Sequence, residues 1–370
     1  AGANTDSFSV TASDGTATTT SSYTVNITGA DDSSVITGDV TGSGAEDTSA
    51  ITGTLSATDV EGLADNTYFT VSTTPSQGTA SIDEATGAWS YTPSENTNGS
   101  DSFTVTITDD CGGTTTQAIA LTITAVNDAP TTTGAGSTLA FAEGDGATVI
   151  DSSITVTDAD DSNIESATVT IFSGFQSAED VLTFSDTSSI TGSWNASTGV
   201  LNLTGSDTLA NYKSALESVR YNNTSDNPNT DNRSISWVVN DGDTSSSAVT
   251  STITITAVND APVLTTPTAG TITEDSDAST TTTSNLSGTL SASDADGDTL
   301  TYGITGGTVD SGTSTLAGTY GSLVINTTTG EYTYTPTSAA VEALCAGANT
   351  DSFSVTASDG TATTTSSYTV

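Results

Sequence analysis

The sequence predicts an all-β chain: tandem Greek-key β-sandwiches, with one short helix in the third. Three observations carry that expectation. Apolar residues alternate with polar ones across short runs, the period of a half-buried strand. Turns rich in Asp and Gly separate the runs at regular spacing, giving roughly seven short strands per hundred residues. Residues 346–370, AGANTDSFSVTASDGTATTTSSYTV, repeat residues 1–25 letter for letter, so the chain holds one period of a tandem array with a little overlap. An array of near-identical modules is an object with length, suited to spanning, tethering or assembling rather than to turning over a substrate.

The elements follow in chain order. Residues 6–27 read as a hairpin, with Phe8, Val10 and Ala12 on its first strand, a turn at Asp14-Gly15, and Tyr23, Val25 and Ile27 on its second. Residues 101–123 repeat the pattern with Phe103, Val105 and Ile107, a turn over 109–113, then Ile119, Leu121 and Ile123. Residues 233–255 repeat it again with Ile235, Trp237 and Val239, a turn at Asn240-Asp241-Gly242, then Val249, Ile253 and Ile255. Each hairpin runs into an acidic linker: Gly29-Ala30-Asp31-Asp32, Val126-Asn127-Asp128-Ala129-Pro130 and Val258-Asn259-Asp260-Ala261-Pro262. Proline in the latter two ends strand pairing and stiffens the exit.

The hairpins therefore close domains and the linkers mark boundaries. Residues 1–31 are the closing part of one domain, 32–129 and 130–261 are complete sandwiches, and 262–370 is a fourth lacking the end of its last strand. Val370 matches Val25, whose strand continues through Asn26-Ile27-Thr28, so the split falls inside a domain and 1–31 is expected to have no core of its own. The second and fourth domains share their front halves. Gly53-Thr54-Leu55-Ser56-Ala57 answers Gly288-Thr289-Leu290-Ser291-Ala292, and Thr86-Gly87-Ala88-Trp89-Ser90-Tyr91 answers Thr329-Gly330-Glu331-Tyr332-Thr333-Tyr334. The third domain is longer and carries an amphipathic helix over 207–220, with Leu209, Tyr212, Leu216 and Val219 on one face. A second short helical stretch is expected over 339–344.

Charge narrows the partners. Three basic residues stand against 45 acidic ones, a net of −42. Nucleic acid and anionic membrane need Lys and Arg to displace counterions, so neither is an expected partner; cations are. Histidine is absent, which removes the Ser-His-Asp and Cys-His triads, the usual zinc sites and the commonest general base, and no enzymatic activity is expected. No apolar run is long enough for a transmembrane helix or a signal peptide.

The V-N-D-A-P linkers and the turn Asp294-Ala295-Asp296-Gly297-Asp298 resemble those of cadherin-like and VCBS repeats in giant bacterial surface adhesins. Residues 262–370 are most similar to a VCBS repeat, through Ser287-Gly288-Thr289-Leu290, Gly318-Thr319-Tyr320-Gly321 and Tyr332-Thr333-Tyr334-Thr335-Pro336. The resemblance covers essentially the whole chain. It implies Ig- and cadherin-like sandwiches in an elongated, calcium-stiffened, extracellular rod. The Gly-rich nonapeptide calcium repeats found near the ends of many such adhesins are absent from this sequence.

The placement of the acids points the same way. Ca²⁺ takes six to eight oxygens from carboxylates, amides and backbone. In a seven-strand sandwich each junction collects oxygens from the bottom of one domain, the linker and the top of the next. At the linker 127–130 the candidates are Glu46 and Asp101, then Asn127 and Asp128, then Asp158, Asp160, Asp241 and Asp243. At 259–262 they are Glu143 and Asp231, Asn259 and Asp260, then Asp294, Asp296, Asp298 and Asp359. At 29–32 they are Asp6, Asp31 and Asp32, Asp59 and Glu61, and Asp109 with Asp110. The step from linker Asp to the next Glu is 14, 15 and 14 residues, for Asp32 to Glu46, Asp128 to Glu143 and Asp260 to Glu274. Asp also terminates turns well on its own, but its recurrence at each linker crowds like charges that a cation would neutralise. The run beginning at Asp294 is not an EF-hand, since Thr299 and Thr305 stand where that loop needs Gly and Glu.

Cys111 and Cys345 complete the candidate residues, as a disulfide between domains or copies or as free thiols. The expected function is a structural stalk or spacer of an extracellular adhesin or surface filament. Its partners are further copies of itself and a surface glycan or protein ligand. The alternatives are a subunit that polymerises by strand complementation of the split domain and a carbohydrate-binding third domain.

Overall fold

The computed structural model describes residues 3–273, 284–344 and 347–370. The chain divides into two compact units, residues 1–129 with 158–161, and residues 130–157 with 162–370. Three separate hydrophobic cores form, one in the first unit and two in the second.

The first unit opens with a free-standing antiparallel hairpin, Ala3–Ser13 paired to Thr18–Thr28, in which Phe8 faces Tyr23. Its alternation is regular, yet Phe8, Val10, Tyr23 and Ile27 are exposed. The sandwich that follows has two four-stranded sheets. One runs Thr41–Ala45, Thr114–Thr124, Gly99–Thr108, Phe69–Thr73, with the first pair parallel and the others antiparallel. The other runs Val35–Gly38, Ile51–Thr58, Ala88–Pro93, Gly78–Ile82. Phe103, Val105 and Ile107 face inward from one strand and Ile119, Leu121 and Ile123 from its neighbour, so period-2 alternation becomes one buried face. Trp89 packs edge-on against Phe103 and lies over Gly53, where a Cβ would fall 2.3 Å from its ring. Gly288 stands likewise beneath Tyr332, with a Cβ 2.5 Å from its hydroxyl. Glycine at both matched positions is thus a packing requirement.

The second core belongs to residues 141–255. Its six-stranded sheet runs Thr138–Ala142, Val249–Thr256, Arg233–Asn240, Asn163–Ser173, Val200–Thr208, Thr191–Asn195. The helix spans Leu209–Glu217, shorter than the expected 207–220, because Asp207 and Thr208 stay in the preceding strand. The Thr208 hydroxyl caps the helix by accepting from the Asn211 N–H. Tyr212, Ala215 and Leu216 turn its apolar face into the core. The third core joins a five-stranded sheet, Leu286–Thr289, Glu331–Pro336, Gly321–Asn326, Thr313–Ala317, Thr308–Asp310, to a three-stranded one, Thr301–Ile304, Ser352–Ser358, Thr363–Thr369. The second helical stretch is the single turn Ser338–Val341.

One buried charge network holds the second core. Arg233 is 0% exposed. Its Nε donates to Asp180 Oδ2 at 2.8 Å, its Nη1 to Asn229 Oδ1 at 3.2 Å, and its Nη2 stands 3.6 Å from Glu179. Tyr221 donates its hydroxyl to the other Asp180 oxygen at 2.6 Å. Removing one partner of such a pair strands a buried charge and costs about 3–5 kcal/mol. Arg233→Met is therefore expected to lower the unfolding free energy by about that amount in urea denaturation. Arg233→Met with Asp180→Asn should recover a measurable part of the loss.

Candidate metal centres

At the linkers 127–130 and 259–262 the same local hydrogen bonds recur. The Asn side chain at the start of each donates to the next residue's carbonyl: Asn127 to Asp128 and Asn259 to Asp260, both at 2.9 Å. The preceding valine N–H donates to the distant glutamate, Val126 to Glu46 Oε1 at 3.1 Å and Val258 to Glu143 Oε2 at 2.8 Å. The linker aspartate N–H donates to a loop carboxylate, Asp128 to Asp160 Oδ1 at 3.3 Å and Asp260 to Asp296 Oδ2 at 2.7 Å. In the same loops Asp158 Oδ1 accepts from the N–H of Asp160 and Asp161, and Asp294 Oδ1 from that of Asp298. The bonds to Glu46, Glu143, Asp158 and Asp294 each use one oxygen of the carboxylate and leave the other without a donor.

Those remaining oxygens are the decisive feature. Among the described residues, the fully buried side-chain oxygens without a hydrogen-bond donor are Glu46 Oε2, Glu61 Oε2, Asp128 Oδ2, Glu143 Oε1, Asp158 Oδ2 and Asp294 Oδ2. All six lie on residues that the sequence placed at linkers. A buried, unsatisfied carboxylate oxygen costs several kilocalories unless a cation or donor meets it. Oxygen donors in such number, with no imidazole in the chain, fit a hard divalent cation better than a transition metal. Ligand oxygens within 4.8 Å of one another occur in Asp158, Asp160 and Asp161, in Asp294, Asp296 and Asp298, and in Glu143, Asp226 and Asp260.

The linker 29–32 brings together Asp31, Asp109 and Cys111. Asp109 is buried and its Oδ1 accepts from the N–H of Cys111 and Gly113. A Cβ on Gly113 would meet Asp31 Oδ2 at 2.3 Å and Asp109 Oδ2 at 2.4 Å, so glycine leaves room for both carboxylates. Asp59 accepts from the Glu61 N–H at 2.9 Å and from the Ser34 hydroxyl at 3.1 Å. Cys111 is an exposed free thiol, and Cys345 lies outside the described residues, as does Glu274.

Electrostatics agree with the geometry. Burial, then repulsion from Asp47, Glu46 and Asp158, raises the Asp128 carboxyl above the usual range. Burial and its hydrogen-bonded neighbour Asp158 raise Asp160. Burial, Asp59 and Asp32 raise Glu61. Burial also opposes ionisation of Asp59, but the Glu61 N–H and the Ser34 hydroxyl hold it below the usual range.

Other sequence candidates have different tasks. Asp101 accepts from the N–H of Ser76, Gln77 and Ser102 and from the hydroxyls of Ser76 and Tyr91, so its lone pairs are already taken. It anchors the start of a core strand rather than a metal. Asp6 is exposed in the first hairpin. Its repeat partner Asp351 is buried and accepts from Thr319 N–H, Tyr320 N–H and the Tyr334 hydroxyl, the same clamp as Asp101. Asp231 is exposed, its N–H held by Asn229 and its carbonyl by Arg233, and Asp226 from the same loop joins Glu143 and Asp260 instead. Asp241 closes its own hairpin by accepting from the N–H of Asp243 and Thr244. Asp359 does so from Thr361 and Ala362, and also accepts from Asn259 Nδ2 at 3.0 Å. Sequence reasoning missed Asp226, Asp47 and Asp161; Asp47 and Asp161 each stand beside an acid already singled out, and Asp226 carries no such local signal.

A model of the bacterial cadherin-like domain family matches residues 31–125 and 259–370, more than half of the chain. The chain belongs to that family. The all-β tandem architecture of this cadherin-like chain accords with the assignment. A 123-residue stretch is 37% identical to halomucin of Haloquadratum walsbyi, taking in 32% of this chain and 1% of halomucin. The chain thus spans a very small part of that relative. Among solved structures, mouse cadherin-23 EC22-24 aligns over 92% of this chain and 98% of its own at 18% identity, TM-score 0.40. The protocadherin gamma B4 extracellular domain aligns over 99% of this chain and 54% of its own at 17% identity, TM-score 0.42.

Acid dependence follows from the clamped carboxylates of this cadherin-like chain. Burial opposes the charge on Asp151, yet the Ser153, Ser251 and Ser137 donors hold its pKa down at about 2. Burial likewise opposes Asp101, and its backbone donors hold it at about 2. A carboxyl depressed on folding adds stability that is complete above its unfolded pKa and is lost as pH falls toward the folded one. Stability in chelator should therefore drop between about pH 4 and pH 2, and Asp151→Asn should flatten that limb by on the order of 2 kcal/mol in pH-resolved urea titrations.

Proposed function

We propose that this chain is a calcium-stiffened spacer of an extracellular, cell-surface adhesin or filament, without catalytic activity of its own. The observation that carries the reading is the set of buried carboxylate oxygens without donors, recurring in one pattern at two linkers and accompanied by Glu61 at the third. Family membership supports the extracellular, repeat-domain part. Among the described residues no helix is long and apolar enough to cross a membrane.

Glu46 and Glu143 would contribute the oxygens of the sandwich before each linker, Asp128 and Asp260 the linker oxygens, and Asp158 with Asp160 or Asp294 with Asp296 and Asp298 the loop oxygens. Asp226 would join Glu143 and Asp260, and Asp31, Asp59, Glu61 and Asp109 would act at the first linker. Ca²⁺, when bound, supplies the positive charge that the chain's own side chains lack. The residues do the rest: the valine and aspartate N–H bonds already hold the linker backbone against the glutamate and the loop, so the remaining oxygens stay turned toward one another. With the cation removed, those carboxylates repel and the linkers loosen.

Calorimetric titration should show several Ca²⁺ sites with dissociation constants of roughly 10⁻⁴ to 10⁻³ M, the range of extracellular modules. Glu143→Gln should weaken one class of sites at least about tenfold and leave the others unchanged. Small-angle scattering should show the maximum dimension rising when Ca²⁺ replaces chelator; the same dimension in both would refute the stiffening role.

A further inference from the structure

The first 25 residues and the last 25 are the same peptide in two environments. Both form the same antiparallel hairpin in the same register, Phe8 opposite Tyr23 and Phe353 opposite Tyr368. In the later copy Phe353, Val355 and Tyr368 are 2%, 1% and 2% exposed, packed with Leu290, Ile304, Leu323 and Ile325. In the earlier copy Phe8, Val10 and Tyr23 are 51%, 57% and 63% exposed. The polar key matches too. Asp351 is clamped by Thr319, Tyr320 and Tyr334, while Asp6 at the same repeat position is exposed.

The strand end adds a second fit. In the first two sandwiches a segment ahead of the core pairs parallel with the last strand, Thr41–Ala45 with 120–124 and Thr138–Ala142 with 252–256. In the third core the corresponding backbone contact begins, with Gly270 N–H donating to Thr369 O at 2.8 Å. Beyond it lies a cavity of about 440 Å³ whose lining includes Ile272, Val341, Leu344 and Val370. The earlier hairpin carries Ile27 two places after Val25, the match of Val370, and Ile27 is 57% exposed.

We propose that the hairpin 3–28 is an interaction element whose partner is another copy of residues 262–344. It would seat Phe8, Val10 and Tyr23 where Phe353, Val355 and Tyr368 sit, Asp6 in the Thr319–Tyr320–Tyr334 clamp, Val25 in the place of Val370, and Ile27 in the cavity against Ile272, Val341 and Leu344. The occupant is set by identity: among the described residues, this core is the surface that buries the same peptide. The partner copy precedes residue 1 in a tandem polypeptide or belongs to a second chain, and the two arms of the test separate these sources.

For the second chain, Phe353→Asp expels the resident hairpin while leaving Phe8 intact. In chelator, so that linker metal plays no part, sedimentation velocity should show this full-length variant assembling with concentration. Phe8→Asp with Phe353→Asp should remain monomeric. If both variants show the same state, assembled or monomeric, pairing between chains is overturned. For the tandem source, residues 262–345 are placed ahead of Ala1 in the full chain. Amide exchange over 8–12 should slow at least about tenfold, toward that of 353–357. Unchanged exchange there overturns pairing within one polypeptide.

Discussion

A buried carboxylate needs a counterpart, and this chain has three basic side chains for 45 acidic ones. That shortage organises the structure. Arg233 is spent on Asp180 and Glu179, Lys213 on Glu217 along the helix, and Arg220 donates to the Ala147 carbonyl. Every other inward-facing acid must be satisfied by backbone N–H groups and hydroxyls. Asp101, Asp151 and Asp351 achieve this completely, and each sits inside a sandwich. The donors run out at the linkers, where each backbone N–H reaches one oxygen of a carboxylate and its second oxygen is left over. The arrangement distinguishes acids that complete a core from acids whose second oxygen is left without a donor.

The same accounting explains how the cores are locked. In the first sandwich and the third core a tyrosine hydroxyl meets the aspartate at the start of the closing hairpin, Tyr91 with Asp101 and Tyr334 with Asp351. The contact desolvates the phenol and places it beside a carboxylate, and it raises both tyrosines far above an ordinary phenol. The middle core reaches the same end differently. Tyr221 meets Asp180, and Arg233 stands two residues before Ile235, the position that Asp101 holds before Phe103 and Asp351 before Phe353. A buried guanidinium thus reverses the sign of the group that the hairpin contributes, and the acid moves to the strand paired with that of Tyr221, in another sheet.

Most of the fold was legible because it rests on local periodicity. Phe103, Val105 and Ile107, or Ile235, Trp237 and Val239, alternate without interruption, and a strand with that pattern has one way to bury it. The linker acids were legible because Val-Asn-Asp-Ala-Pro recurs with its glutamate 14 or 15 residues away. The division of labour among the acids was not. Asp101 looks like Asp128 in sequence, and only the loop at Ser76 and Gln77, 24 or more residues away, shows that its oxygens are engaged. Asp226 was invisible for the complementary reason: nothing local distinguishes it from Asp231 until the loop folds and turns one of them toward Glu143.

Residues 1–25 and 346–370 set the limit of any local reading. Identical sequence gives identical hydrogen-bond register, so the hairpin itself is encoded locally. Burial is not: it depends on whether Leu290, Ile304 and Leu323 stand opposite. A two-stranded hairpin is marginal in water on its own, so the alternation in residues 3–28 is a specification for a surface that other residues supply. Read this way, the exposed aromatic face and the donorless linker oxygens are the same kind of feature. Under the two proposals each is half of an interaction, apolar and keyed by Asp6 in one case, hard and anionic in the other.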